Sequence, residues 1–184
     1  MKDQSKDPLY KLRFPIGQFS LPKQITNDLL AKQINTLDAF PAKLKSLVSH
    51  LSDDQLDTAY RSDGWTIRQV IHHVADSHAH SYIRFKWALT EDKPVIKYYY
   101  EDRWAELPDG KDGSIDASLM LLTAIHSKLV TLLKGMTEEE FNREFIHPEH
   151  NKTVKLKENV CIYAWHCNHH YAHIENCLKV NSWL

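Results

Sequence analysis

Glycine is nearly absent from the stretches that carry most of this chain's apolar residues, and that scarcity favours helix over any β-rich fold. Only five glycines occur in 184 residues, Gly17, Gly64, Gly110, Gly113 and Gly135, and they sit at punctuation points. Between them run segments rich in Leu, Ala, Lys and Glu, which lose little on entering a helix. Pro8, Pro15 and Pro22 set apart residues 1–22, which read as an irregular N-terminal arm. Residues 23–184 read as a single domain, long enough to bury one hydrophobic core.

Apolar periodicity places four long helices. Leu29, Leu30, Ile34, Leu37, Leu44, Leu47, Val48 and Leu51 define the first, from about Lys23 to Leu51, with Pro41 expected to kink or divide it. The second starts after Thr66, whose spacing to Gln69 is that of a capping box, and runs to about Leu89. The third spans about Ser114 to Lys134, with Gly135 expected as a left-handed cap. Thr137 and Glu140 cap a short helix, FIHPEHNKTVK reads as a loop, and the last long helix runs from about Leu156 to Lys179. Between the second and third helices lies EDKPVIKYYYEDRWAELPDGKDGS, an unusually long connection for a compact domain. A crossover of that length lets the helices it joins run parallel. The pattern therefore predicts an all-α four-helix bundle wired up-down-down-up. Short strands near Val95–Tyr100 or Phe145–Val154 are the only β features on offer.

The formal net charge is −1 and there is no basic stripe, so a nucleic-acid partner is not expected. MKDQSKDPLY lacks the apolar core of a secretory signal, and no stretch approaches the run of about 18 apolar residues that spans a membrane. A cytoplasmic protein without a membrane partner is expected. Cys161, Cys167 and Cys177 are an odd set within one helix and form no CxxC pair, which reads as reduced, buried thiols.

Histidine is the outlier. Of twelve, eight fall in two clusters: His72, His73, His78 and His80, then His166, His169, His170 and His173. On the last helix, His166/His170 and His169/His173 are spaced i, i+4, which puts each pair on one face and suits chelation of one metal. The stripe through His166 and His170 also takes in Ile162, Tyr163, Ile174 and Cys177, so that pair points towards the core and the other more towards solvent. Cys167 follows His166 where a zinc-protease helix has glutamate, and about 100° of helical rotation makes it a poor co-ligand. On the second helix the apolar face centres on Ile67, Val70, Val74, Ser81 and Phe85. His72 lies opposite it, while His73 and His78 both flank it and stay in contention as the third ligand.

The blocks GWTIRQVIHHVADSHAHSYIRFK, TEDKP and YAWHCNHHYAHI resemble the DinB-like metalloenzyme superfamily, in its YfiT branch of metal-dependent hydrolases and bacillithiol transferases. The resemblance extends from PIGQF almost to the C-terminus. It implies an up-down-down-up bundle, a homodimer, and one divalent metal, nickel or zinc, bound by three histidines. The family's ligand on the second helix precedes an HLAD-like tripeptide, here His73 in HVAD, with Val74 in place of the usual leucine. The last-helix ligands are the first and last histidines of HxxHH, here His166 and His170. Three protein ligands leave positions open on the metal, where water or a low-molecular-weight thiol can be activated against a small-molecule substrate. No catalytic acid or base stands out. Asp76 is a candidate to orient His73, or else a solvated acid on the helix surface. Tyr98, Tyr99, Tyr100 and Trp104 are candidates to wall the pocket or simply to pack, and Arg84 to bind an anion or make a surface salt bridge. A metal-binding or stress-response protein without turnover is the competing reading.

Overall fold

The computed structural model describes residues 8–149 and 151–184. The first seven residues of the expected arm lie outside them. The rest of the arm is not wholly irregular, because it contains a short helix, α1 (Pro8–Arg13). A proline at the first helical position gives up no hydrogen bond, so it can open a helix as readily as exclude one.

Helix α2 (Asn27–Val48) is capped by Thr26, whose hydroxyl accepts from the Leu29 N–H at 3.2 Å. Pro41 lies inside α2 and does not divide it. The lost hydrogen bond is offset by a buried stripe of Ile34, Leu37, Phe40, Leu44, Leu47 and Val48 that holds both halves against the core. After the short α3 (Asp53–Leu56), α4 (Ile67–Thr90) begins at the capping box expected for Thr66 and Gln69. The long crossover carries two single turns, α5 (Glu101–Trp104) and α6 (Pro108–Lys111). Helix α7 (Ile115–Gly135) follows. Gly135 is its last residue and not a left-handed cap, since Gly17 alone among the glycines has positive φ. The Thr137–Glu140 capping box opens α8 (Glu138–Phe141).

The segment read as a loop, with short strands near Phe145–Val154 as the alternative, is a hairpin of β1 (Glu144–His147) and β2 (Lys152–Lys155), with Phe145 paired to Val154. It anchors the crossover. The Ile96 N–H donates to the Ile146 carbonyl at 3.0 Å, and the Ile146 N–H to the Pro94 carbonyl at 2.9 Å. Helix α9 (Leu156–Val180) completes the chain.

Side-chain pairs set the helix directions. Ser77 meets Tyr163 and Ser81 meets Asn159, so α4 and α9 run antiparallel. Arg68 reaches Gly113 and His78 reaches His126 further along both chains, so α4 and α7 run parallel, as the long crossover predicted. Helix α2 packs on α7 and α9, which places it diagonally from α4. The connection through α3 thus crosses the end of the bundle.

The core is filled by Leu37, Leu44, Ile67, Ile71, Phe85, Leu122, Leu129, Leu133 and Ile174, all buried. Each contributes roughly 1.5–3 kcal/mol of transfer free energy. Helix α7 is long and apolar enough by composition to cross a membrane, which corrects the expectation that no stretch comes near. Leu119, Leu122, Leu129, Val130 and Leu133 nevertheless face inward together with the polar His126, the pattern of a bundle helix.

Candidate metal centre

His73 on α4 and His166 and His170 on α9 converge, each offering a ring nitrogen within 4.8 Å of the other two. His73 Nε2 and His166 Nε2 are 3.3 Å apart. Two nitrogens bound tetrahedrally to one ion at about 2.0–2.1 Å would be separated by about 3.3 Å, so the spacing suits a shared cation. Burial, aided by neighbouring imidazoles, pushes His73 down to about 4 and holds His166 and His170 well below the usual histidine range. All three are neutral at pH 7, the state in which imidazole ligates.

The tautomers follow from the contacts behind the trio. His126 Nδ1 lies 2.6 Å from the Leu37 carbonyl, which can only accept, so the proton is on Nδ1 and Nε2 keeps its lone pair. His78 Nδ1, 2.9 Å from that nitrogen, must donate to it. His78 Nε2 then accepts from His166 Nδ1 at 3.1 Å, and the lone pair of His166 is left on Nε2, the atom facing His73. A second, shorter chain reaches His170. His173 Nε2 donates to the Arg13 carbonyl at 3.1 Å, and its Nδ1 accepts from His170 Nδ1 at 3.4 Å, which leaves Nε2 free. Each last-helix ring is therefore held by a histidine relay that ends on a backbone carbonyl, an outer shell that orients metal ligands.

Several sequence expectations need correction. His169 and His173 are buried, not solvent-facing, because the arm covers them. Phe14 packs near His169, and Tyr60 stacks on His173 at 4.2 Å. His72 is buried against α7, where it bonds Ser118 Oγ and the Gly113 carbonyl. Asp76 forms no hydrogen bond with His73 among the described residues. Burial, with Asp109 nearby, instead pushes its carboxyl up to about 6. Arg84 is buried and makes no salt bridge among the described residues. Cys167 stays out of the trio but lies 4.0 Å from His78 Nε2, and His78, His126 and Cys167 form a second, fully buried group. There the facing imidazole nitrogens already satisfy one another, and burial holds the thiol well above its ordinary range, so it stays protonated. All three cysteines are buried and free.

The trio lines an open pocket of about 330 Å³ whose walls also include Trp65, Ser77, Tyr98, Tyr99 and Glu101. Of the crossover aromatics, Tyr98 and Tyr99 line this pocket. Tyr99 also stacks on His80 at 4.2 Å, and Trp104 closes on the same ring, while Tyr100 is mostly exposed. Sequence reasoning missed His126, a lone histidine on an apolar helix whose only signal was its inward position.

The family model of the DinB superfamily matches residues 36–174. Over 172 residues the chain is 46% identical to a "Putative metal-dependent hydrolase" of Bacillus cereus (strain 03BB102), covering 94% of this chain and 98% of that protein. It is 43% identical to the "Putative metal-dependent hydrolase YfiT" of Bacillus subtilis (strain 168), covering 94% and 97%. The solved structure of YfiT, described as a probable metal-dependent hydrolase with an unusual four-helix bundle topology, superposes with a TM-score of 0.92. That match covers 95% of this chain and 99% of that one, at 42% identity. Fold, histidine trio and relatives agree, and this chain belongs to the DinB superfamily.

Proposed function

We propose that the protein is a metal-dependent enzyme that activates a small nucleophile, a low-molecular-weight thiol such as bacillithiol or else water, against an electrophilic small molecule. One observation carries this reading: three neutral imidazoles bring ring nitrogens within 4.8 Å of one another in the wall of an open pocket. A divalent ion held by His73, His166 and His170, nickel or zinc, supplies Lewis acidity that lowers the pKa of the nucleophile. The chain's own residues do the rest. The two relays keep the ligand rings in register, Trp65 packs on His73 at 4.7 Å, and Tyr98 and Tyr99 wall the pocket.

Room for two organic molecules favours thiol transfer. The 330 Å³ pocket adjoins a second cavity of about 550 Å³, and the two share His166. In that reaction the thiol's sulfur forms the new bond to carbon, and the leaving group departs with the thiol proton. Hydrolysis is the second reading, supported by the names of the relatives. Both readings carry the expectation of a cytoplasmic homodimer without nucleic-acid or membrane partners.

The test is a turnover assay on tag-free, metal-quantified protein, comparing thiol conjugation with ester and amide hydrolysis. Wild type is expected to turn over one class, and His170→Ala to lose at least a hundredfold while keeping its helical content. A metal-binding protein without turnover would bind the ion and accelerate neither reaction. Equal activity in the variant would remove the proposed mechanism.

A further inference from the structure

The 550 Å³ cavity and the trio's pocket share five residues: Arg84, His147, Glu149, Tyr163 and His166. Arg84 is the unusual one. It is only 7% exposed, and its guanidinium is a permanent cation whose burial is costly unless it is paired. Among the described residues its one hydrogen-bond partner is the Tyr163 hydroxyl, a long 3.3 Å from Nη1. Nε is buried with no hydrogen-bond partner, and Nη2 makes none either among the described residues. Glu158 lines the large cavity and forms no ion pair with Arg84 among the described residues.

The Nε–Nη2 edge is thus left over. It presents two parallel N–H groups, the fork that matches a carboxylate in bidentate fashion. The large cavity that Arg84 helps to line is also walled by Phe19, Leu21, Phe145 and Ile162, which suit an apolar body. We infer that Arg84 is a substrate-anchoring residue that binds a carboxylate on a partly apolar small molecule. The body of that molecule occupies the large cavity, and its reactive end reaches the His73–His166–His170 pocket. Tyr163 holds the guanidinium from the Nη1 side and leaves the fork free.

This inference rests on the enzymatic reading for the reaction it serves, but the anion site can be tested without a metal. The probes are phenylacetate and its neutral counterpart phenylacetamide, titrated into full-length, chelator-treated protein by calorimetry and by NMR of the arginine Nε–H signals. Phenylacetate is expected to shift the Arg84 Nε–H resonance of wild type, and to bind at least tenfold more weakly to Arg84→Gln. Phenylacetamide should not distinguish the two proteins. Arg84→Lys, which keeps the charge but not the fork, should recover only part of the affinity. An unmoved Arg84 resonance, or equal phenylacetate affinity in Arg84→Gln, would overturn the assignment. The wild-type resonance decides the matter even where the variant fails to fold. Zinc binding by Arg84→Gln should match wild type, so loss of the anion site and failure of the metal centre read out separately.

Discussion

His126 Nε2 and His78 Nδ1 stand 2.9 Å apart in the interior of the bundle, each on a different helix and both almost wholly sealed from solvent. Through this contact a backbone carbonyl on α2 dictates which nitrogen of His166 keeps its lone pair. Replacing His126 by phenylalanine removes the donor to Leu37 and the acceptor for His78. Zinc affinity is expected to fall about 10–100-fold, the usual cost of deleting an outer-shell partner. Competition with a chromophoric chelator measures it, and unchanged affinity would mean that the relay does not orient His166.

The second relay links the metal ligand His170 to the N-terminal arm through His173. His173→Phe should lower zinc affinity by a similar roughly 10–100-fold. It should also free the Arg13 carbonyl, and with it α1. Faster amide exchange over residues 8–14, with the four long helices unaffected, is the expected signature. Protection equal to wild type would show that the arm is held by other contacts.

Neutral burial of so many imidazoles makes the metal-free protein acid-sensitive. Unfolded histidines titrate near 6.5, whereas burial pushes folded His73 and His173 down to about 4 and His169 to about 3. Below pH 6.5 the unfolded chain therefore binds more protons than the folded one, and stability is lost as pH falls. The melting temperature of metal-free protein should drop steadily from pH 6.5 to 4 and change little from pH 7 to 8. A flat profile through the acid range would contradict the neutral, buried assignment.

Arg68 ties the top of α4 to its surroundings. Its side chain is 6% exposed, and it donates to Asp53 at 2.7 Å, Asp57 at 2.6 Å and the Gly113 carbonyl at 3.0 Å. The two acids are well exposed, so water takes over their solvation when the arginine is removed. Arg68→Met is accordingly expected to cost only about 1–3 kcal/mol. Urea denaturation would register it as a lower midpoint at unchanged slope.

Much of this arrangement is legible in the chain. The i, i+4 spacing of His166 and His170, together with the apolar stripe they share, already selects that pair over His169 and His173. Periodicity could not separate His73 from His78, and the structure gives the reason: both rings face His166, one at Nε2 and the other behind it at Nδ1. The difference between ligand and support lies in which nitrogen is met, and helical phase does not encode that. His126 was hidden because its role depends on α4 and α7 lying side by side. The burial of His169 and His173 depends on an arm whose prolines suggested no structure. FIHPEHNKTVK alternates too weakly to decide between a loop and the short strands near Phe145–Val154, and the structure pairs those strands as a hairpin. Arg84 looked like a surface cation because a helical wheel does not reveal that β1 and the crossover cover that face of α4.

Zinc titration of tag-free, metal-free protein tests the three-histidine centre most directly. One equivalent should bind per chain, with full affinity in His80→Ala, whose ring lies outside the trio, and with affinity reduced more than a hundredfold in His166→Ala. Undiminished binding in His166→Ala, or a second equivalent lost on mutation of Cys167, would place the metal elsewhere and contradict the His73–His166–His170 centre.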